Sequence, residues 1–169
     1  MIRLMFLEGP RASGKTTIAS AFGRLGWSMF KTDRVETVNP YGAQQLFLNN
    51  FLNRKDEKIV IDRFHFTEYI MSEYYERVAN NDIAFEDMMR VHNRILQIED
   101  AAIMIVLPPL QLLLKRTKEN GKEMDMPPWH AYVKWWALAR KLDVPILYFT
   151  EIDHVKDFVK LVDGRASNG

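Results

Sequence analysis

The sequence predicts an α/β fold in which helices cover both faces of a parallel sheet. Short apolar runs alternate with longer segments of helical period along the chain. Most of the short runs are continuously apolar rather than alternating, as strands are when both of their faces are buried. The first run also passes through a glycine-rich turn directly into a helical segment, an arrangement that the chemistry of that turn requires.

The elements follow in order. Strands are expected at Arg3–Leu7, Trp27–Lys31, Lys58–Asp62, Ala102–Leu107 and Pro145–Phe149. Between them the spacing predicts helices. Lys15–Leu25 follows the glycine-rich turn, and Tyr41–Asn53 carries Leu46, Phe47, Phe51 and Leu52 at helical spacing. Thr67–Ala79 aligns Ile70, Tyr74 and Val78 at intervals of four, and Phe85–Ile98 aligns Phe85, Met88, Met89, Ile95 and Leu96. Leu110–Lys118 comes next. Pro128–Leu142 follows Pro127, with a proline in the first turn where its missing N–H costs nothing. Val155–Val162 closes the chain, and residues 164–169 are expected to be a disordered tail. Residues 1–163 form one expected domain, large enough to bury a core.

Composition removes several function classes. The chain has 169 residues, 47% of them hydrophobic and 27% charged, with a formal net charge of +1, so no global field points to a polyanionic or polycationic partner. With no cysteine, a disulfide framework, a thiolate zinc site and a cysteine nucleophile are all excluded. The first apolar stretch is too short for a secretory signal core. The longest, Ala101–Leu114, is broken by Pro108, Pro109 and Gln111 and is too short to span a bilayer, which needs roughly 20 residues. A cytoplasmic protein without a membrane partner is the expectation.

The chemistry lies at residues 9–16. Gly9-Pro10-Arg11-Ala12-Ser13-Gly14-Lys15-Thr16 matches the phosphate-binding pattern G-x-x-x-x-G-K-[ST] in full, between a predicted strand and a predicted helix. A chance match in a chain of this length occurs at roughly the one-per-cent level, and a plain strand–turn–helix is the alternative. The loop must wrap phosphate oxygens with backbone N–H groups, which needs small residues and unusual φ at Gly9 and Gly14. The helix beginning there directs its positive end at the phosphates. Lys15 is a mobile charge for the β- and γ-phosphates, the Thr16 hydroxyl is a ligand for Mg²⁺, and Thr17 completes the ATP-binding turn.

Three further elements flank the loop. Asp62-Arg63 sits at the carboxyl end of the third strand, the edge that faces the ligand crevice in open α/β sheets. Asp62 is a candidate for the metal shell and Arg63 for a phosphate fork; a structural ion pair is the plainer reading. At the end of the second strand, Asp33 or Glu36 could take a proton from an acceptor hydroxyl, or be a solvated turn residue. Residues 115–128 begin with Lys115-Arg116-Thr117-Lys118 and include Gly121 and Lys122, a composition suited to a basic lid and equally to a solvated face. His65 and His92 lack metal-ligand spacing. Trp129, Trp135 and Trp136 read first as packing residues, one of which could line an acceptor pocket.

With these motifs in place, the chain resembles the thymidylate kinase and deoxynucleoside kinase family of P-loop enzymes. The resemblance rests on Phe6-Leu7-Glu8-Gly9 entering the loop, on Asp62-Arg63-Phe64-His65, on Leu107-Pro108-Pro109 followed by Leu112 to Arg116, and on the strand at Pro145-Ile146-Leu147. It implies a three-layer fold with a five-stranded parallel sheet in the order 2-3-1-4-5. It also implies transfer of the γ-phosphoryl group from ATP–Mg²⁺ to a deoxynucleoside or its monophosphate. Arg63 would bind the acceptor or the transferring phosphate, Arg116 the ATP, and Asp33 falls where hydroxyl-phosphorylating members carry a general base. Two departures stand out: the lid has Asn120 where a second arginine is usual, and Arg11 replaces an acidic loop residue. The chain is also short for the family, so an open pocket could take a hydroxyl within DNA as an alternative acceptor. A nucleotide switch is the third reading, with no N-K-x-D motif to help it. Homodimers are expected by analogy alone.

Overall fold

The structure is a computed structural model that describes residues 1–32, 39–75, 84–121 and 126–164. Its centre is strand β1, Leu4–Glu8. Leu4 and Phe6 enter the core on one side of the sheet, and Met5 and Leu7 enter the core on the other. None of these four side chains has any exposed surface, which is why the strand reads as an unbroken apolar run.

Four parallel strands join β1: β2 at Ser28–Lys31, β3 at Ile59–Asp62, β4 at Ala101–Val106 and β5 at Ile146–Leu147. Their order is β2-β3-β1-β4-β5, with every pairing parallel. This is the order that the family resemblance implies. Register places Leu7 opposite Asp62, which fixes the carboxyl end of β3 beside the loop that leaves β1.

Among the described residues seven helices complete the order: α1 Lys15–Arg24, α2 Pro40–Asn53, α3 His65–Tyr75, α4 Phe85–Leu96, α5 Leu110–Glu119, α6 Pro128–Leu142 and α7 Ile152–Asp163. On one sheet face, Ile59, Ile61, Ile103 and Ile105 meet Phe51 of α2, Val91 of α4 and Trp135 of α6. On the other, Val60 and Val106 meet Ile18 and Phe22 of α1 and Val155 and Val159 of α7. Both faces are therefore covered by apolar helix stripes, the condition for a parallel sheet.

Of the boundaries that differ from the sequence reading, three are informative. β5 is two residues long, because only Ile146 and Leu147 pair with Ile105 and Val106 of β4. α7 begins at Ile152 rather than Val155. α3 begins at His65 rather than Thr67 because its cap comes from another element: the Glu8 carboxylate accepts from Phe66 N at 3.0 Å, Thr67 N at 3.2 Å and Thr67 Oγ1 at 2.6 Å. A cap borrowed from a strand 58 residues away leaves no local signature. The expected end of that helix, residues 76–79, lies outside the described residues.

Candidate active site

The loop between β1 and α1 owes its path to its small residues. Gly9 has φ +140°, and a Cβ there would lie 2.4 Å from the Val106 carbonyl oxygen of β4, so the loop passes too close to the sheet for any side chain. Ala12 and Gly14 also have positive φ, and Gly14 is the N-cap of α1. Lys15 is the first helical residue and is buried. Its Nζ donates to Gly9 O at 2.7 Å, Pro10 O at 2.5 Å and Ser13 Oγ at 3.2 Å. The loop thus closes around its own lysine, and phosphate oxygens would take over as acceptors.

Burial pulls the Lys15 ammonium down from 10.5 to about 7; the Arg63 guanidinium adds to this, while Asp62 and Glu8 oppose it. At pH 8 the free lysine is then mostly neutral. Nucleotide phosphates favour the ammonium form, so binding should take up as much as one proton per nucleotide at pH 8. Calorimetric titration of nucleotide in buffers of different ionisation enthalpy measures this, and Lys15→Ala should abolish the uptake.

Asp62 and Thr16 form an oxygen pair beside the loop. Thr16 Oγ1 donates to Asp62 Oδ2 at 2.8 Å, while Asp62 Oδ1 is buried with no hydrogen-bond partner among the described residues. An orphaned buried carboxylate oxygen next to a hydroxyl suits a hard cation such as Mg²⁺, which keeps waters and phosphate oxygens as its other ligands. Among the described residues no group of three or more His, Asp or Glu could hold a metal by itself, so the phosphates would have to share the ion. Arg63 follows at φ +73°, a left-handed conformation that costs a non-glycine residue about 1 kcal/mol or more. It is held there at both ends: its N–H donates to Leu7 O at 2.9 Å, and its carbonyl accepts from Thr32 Oγ1 at 2.7 Å.

Two cavities meet at this point. The first, about 440 Å³, is lined by residues 11–18 of the loop and α1, by Arg116 and Asn120 at the end of α5, and by Phe149, Glu151 and Val155 beyond β5. Arg116 Nη1 reaches the loop and donates to Ser13 O at 3.2 Å. The second, about 290 Å³, is lined by Gly9 and Pro10 of the loop and by Lys31, Thr67, Met126 and Trp135. Arg11 and Arg63 line both. A third, small cavity of about 20 Å³ adjoins the second through the chain: Thr32, Phe64 and Glu68 line it, each next in sequence to a residue lining the second. Gln44 of α2 lines it too. Gln44 is 4% exposed, and among the described residues neither Nε2 nor Oε1 has a hydrogen-bond partner.

The structure therefore brings the expected loop residues, Thr17, Asp62, Arg63 and Arg116 into one place. Gly9 and Pro10 border the second cavity rather than the first. Lys115 and Lys118 line neither cavity; Lys115 lies 3.8 Å from Glu119 on the outside of α5. Asp33, Glu36 and Lys122 lie outside the described residues. Of the three tryptophans on α6, Trp135 is buried and borders the second cavity, while Trp129 and Trp136 face solvent.

The sequence reading missed Gln44, whose only local signal is a polar residue on the buried stripe of a helix. It also treated His65 and His92 as isolated. They lie 3.3 Å apart, Nε2 to Nδ1, in the interior, and His65 Nδ1 is 3.4 Å from Glu8 Oε1. Burial, helped by His92, holds His65 well below the ordinary range, so it is neutral. Burial raises Glu8 to about 7 against the opposing hydrogen bonds from Thr67 and the α3 backbone.

No protein-family model matches the chain, and no curated protein matches it. Solved structures do. The YorR protein from Bacillus subtilis, in complex with phosphorylated GDP, superposes with a TM-score of 0.67 at 19% identity over 96% of each chain. Deoxyadenosine kinase from M. mycoides with bound dATP gives 0.59 at 15% identity, over 95% of this chain and 98% of that one. Shikimate kinase from Acinetobacter baumannii, in complex with shikimate, gives 0.56 at 13% identity, over 98% and 95%. The chain has the fold of these three proteins, two of which are kinases. Among the described residues no helix is long and apolar enough to cross a membrane.

Proposed function

We propose that this protein is a P-loop kinase that transfers the γ-phosphoryl group of ATP–Mg²⁺ to a deoxynucleotide or deoxynucleoside. The observation that carries the reading is the pair of cavities that border the loop and share Arg11 and Arg63, with the Gln44 amide, which has no partner among the described residues, in the small cavity next to the second. The first cavity takes the nucleotide donor. The second takes the acceptor, and the shared guanidinium groups lie along the path between them. Transfer would be in line and driven by positioning and charge neutralisation. Lys15 and Arg63 would meet the phosphate charge, Arg116 would steady the loop over the donor, and Thr16 with Asp62 would hold Mg²⁺, which neutralises the β- and γ-oxygens when bound.

Gln44 supports a base-bearing acceptor. A carboxamide offers one donor and one acceptor side by side, which complements a nucleobase edge; a carboxylate-bearing polyol would instead call for cations at that position. Arg11, Lys31 and Arg63 around the second cavity favour an acceptor that already carries a phosphate.

Label transfer from γ-labelled ATP to nucleosides, their 5′-monophosphates and short DNA tests the reading. Label on a monophosphate or nucleoside is expected. Label on DNA alone would replace the metabolite acceptor with a hydroxyl of DNA, and hydrolysis independent of any acceptor would favour a nucleotide switch. Asp33→Asn separates the acceptor chemistries. A phosphate acceptor is already an anion and needs no base, so turnover should stay within a few-fold of wild type. A fall of orders of magnitude would assign the transfer to a hydroxyl with Asp33 as its base.

A further inference from the structure

Helix α6 buries one side and leaves an aromatic stripe on the other. Ala131, Trp135, Leu138 and Ala139 supply its core contacts. On the opposite side, Trp129, Val133, Trp136 and Arg140 follow one another at intervals of four, three and four, in a line down the solvent face. Trp129 is 58% exposed, Val133 54% and Trp136 45%. The stripe runs roughly 16 Å at 1.5 Å per residue. Packing explains none of these side chains, because the core contacts of the helix lie on its other face.

A second element extends the surface. Tyr148, just past the edge strand β5, is 52% exposed and lines a broad groove of about 590 Å³ with Trp136, Arg140 and Pro145. The groove is separate from both cavities at the phosphate-binding loop, with which it shares no lining residue.

Charge selects the partner. α6 contains Lys134, Arg140 and Lys141 and no acidic residue, although the chain as a whole is nearly neutral. Lys141 Nζ sits 4.2 Å from the centroid of the Phe85 ring. α5 packs against α6 and exposes Lys115 and Lys118. The one acid at the groove is Asp143, which ends the helix. Two copies of this face would bring together two surfaces of the same positive sign, which opposes self-association. Trp129 stacks on His130, with ring centroids 5.3 Å apart and 23° between the planes, yet stays largely exposed. Exposed rings interleaved with cations suit a ligand that alternates bases with phosphates.

We propose that the α6 face, from Trp129 to Arg140 with Tyr148, binds single-stranded nucleic acid by stacking bases on Trp129, Trp136 and Tyr148 and pairing phosphates with Arg140. The surface acts whether or not the strand is a substrate of the kinase site.

Tryptophan fluorescence of the full chain tests it. Trp27 and Trp135 are buried, so quenching reports Trp129 and Trp136. Titration with sixteen-residue oligo(dT) and oligo(rU) should give saturable quenching with at least one of them. Binding should weaken about tenfold or more between 50 and 300 mM KCl, and excess ATP should not displace the strand. Trp136→Ala and Arg140→Glu should each weaken binding about ten- to a hundredfold while leaving ATP binding unchanged. No quenching by either strand at 50 mM KCl overturns the proposal. So does equal quenching by heparin, a polyanion without bases, or quenching by phosphatidylserine vesicles in place of the strands. Sedimentation showing self-association that Arg140→Glu alters would assign the face to a second copy and overturn it as well.

Discussion

Lys15→Ala should lower phosphoryl transfer by about 10²–10³-fold, the loss seen when one preorganised charge or donor is taken from a developing anion. The fold should survive. The ammonium is desolvated in the free protein, so its removal relieves a burial cost at the same time as it frees the carbonyls of Gly9 and Pro10 and the Ser13 hydroxyl. The two terms oppose each other, and the urea midpoint should move much less than turnover does. Steady-state kinetics beside urea unfolding measures both. Transfer left intact would remove the phosphate-binding loop from the chemistry; loss of activity together with loss of folding would make Lys15 a structural residue.

Gln44→Leu should shift stability and function in opposite directions. In the free protein the amide is buried with nothing to bond, and such a group costs about 1–3 kcal/mol. Leucine fills a similar volume beside Phe47 and Phe64 and removes that cost, so the variant should be more stable by about 1–2 kcal/mol. A bound base would lose two hydrogen bonds and keep its own polar edge unpaired, about 3–4 kcal/mol in total, so kcat/KM for the acceptor should fall by about 10²–10³-fold. KM for ATP should not change, because Gln44 does not line the first cavity. A less stable variant with unchanged acceptor kinetics would make Gln44 a core residue whose partner forms in solution.

The uneven legibility of the fold and site has physical causes. The sheet could be read from the sequence because β1, β3 and β4 are buried on both faces and their residues are almost all apolar. The loop could be read because the pattern G-x-x-x-x-G-K-[ST] fixes four residue types within eight consecutive positions. β5 was overestimated: Pro145–Phe149 is apolar enough for a strand, but only two residues find a ladder partner. The start of α3 was hidden because its cap, Glu8, belongs to another strand. The residues proposed to recognise the acceptor were hidden for the same kind of reason. Gln44, Lys31 and Trp135 come from three elements far apart in sequence, and none carries a local pattern that distinguishes it from a core or surface residue. The two buried histidines meet only because α3 and α4 pack together.

The central claim is that donor and acceptor occupy the two cavities at once, with their phosphates meeting at Arg11 and Arg63. Calorimetric titration with a bisubstrate analogue, adenosine joined to a deoxynucleoside through a chain of four or five phosphates, tests it most directly. The account expects one analogue per protein, bound at least a hundredfold more tightly than ATP, displaced by ATP and by the acceptor, and weakened by Gln44→Leu. Binding no tighter than that of ATP, indifferent to the acceptor and to Gln44, would show that only the first cavity is a nucleotide site and would contradict the account.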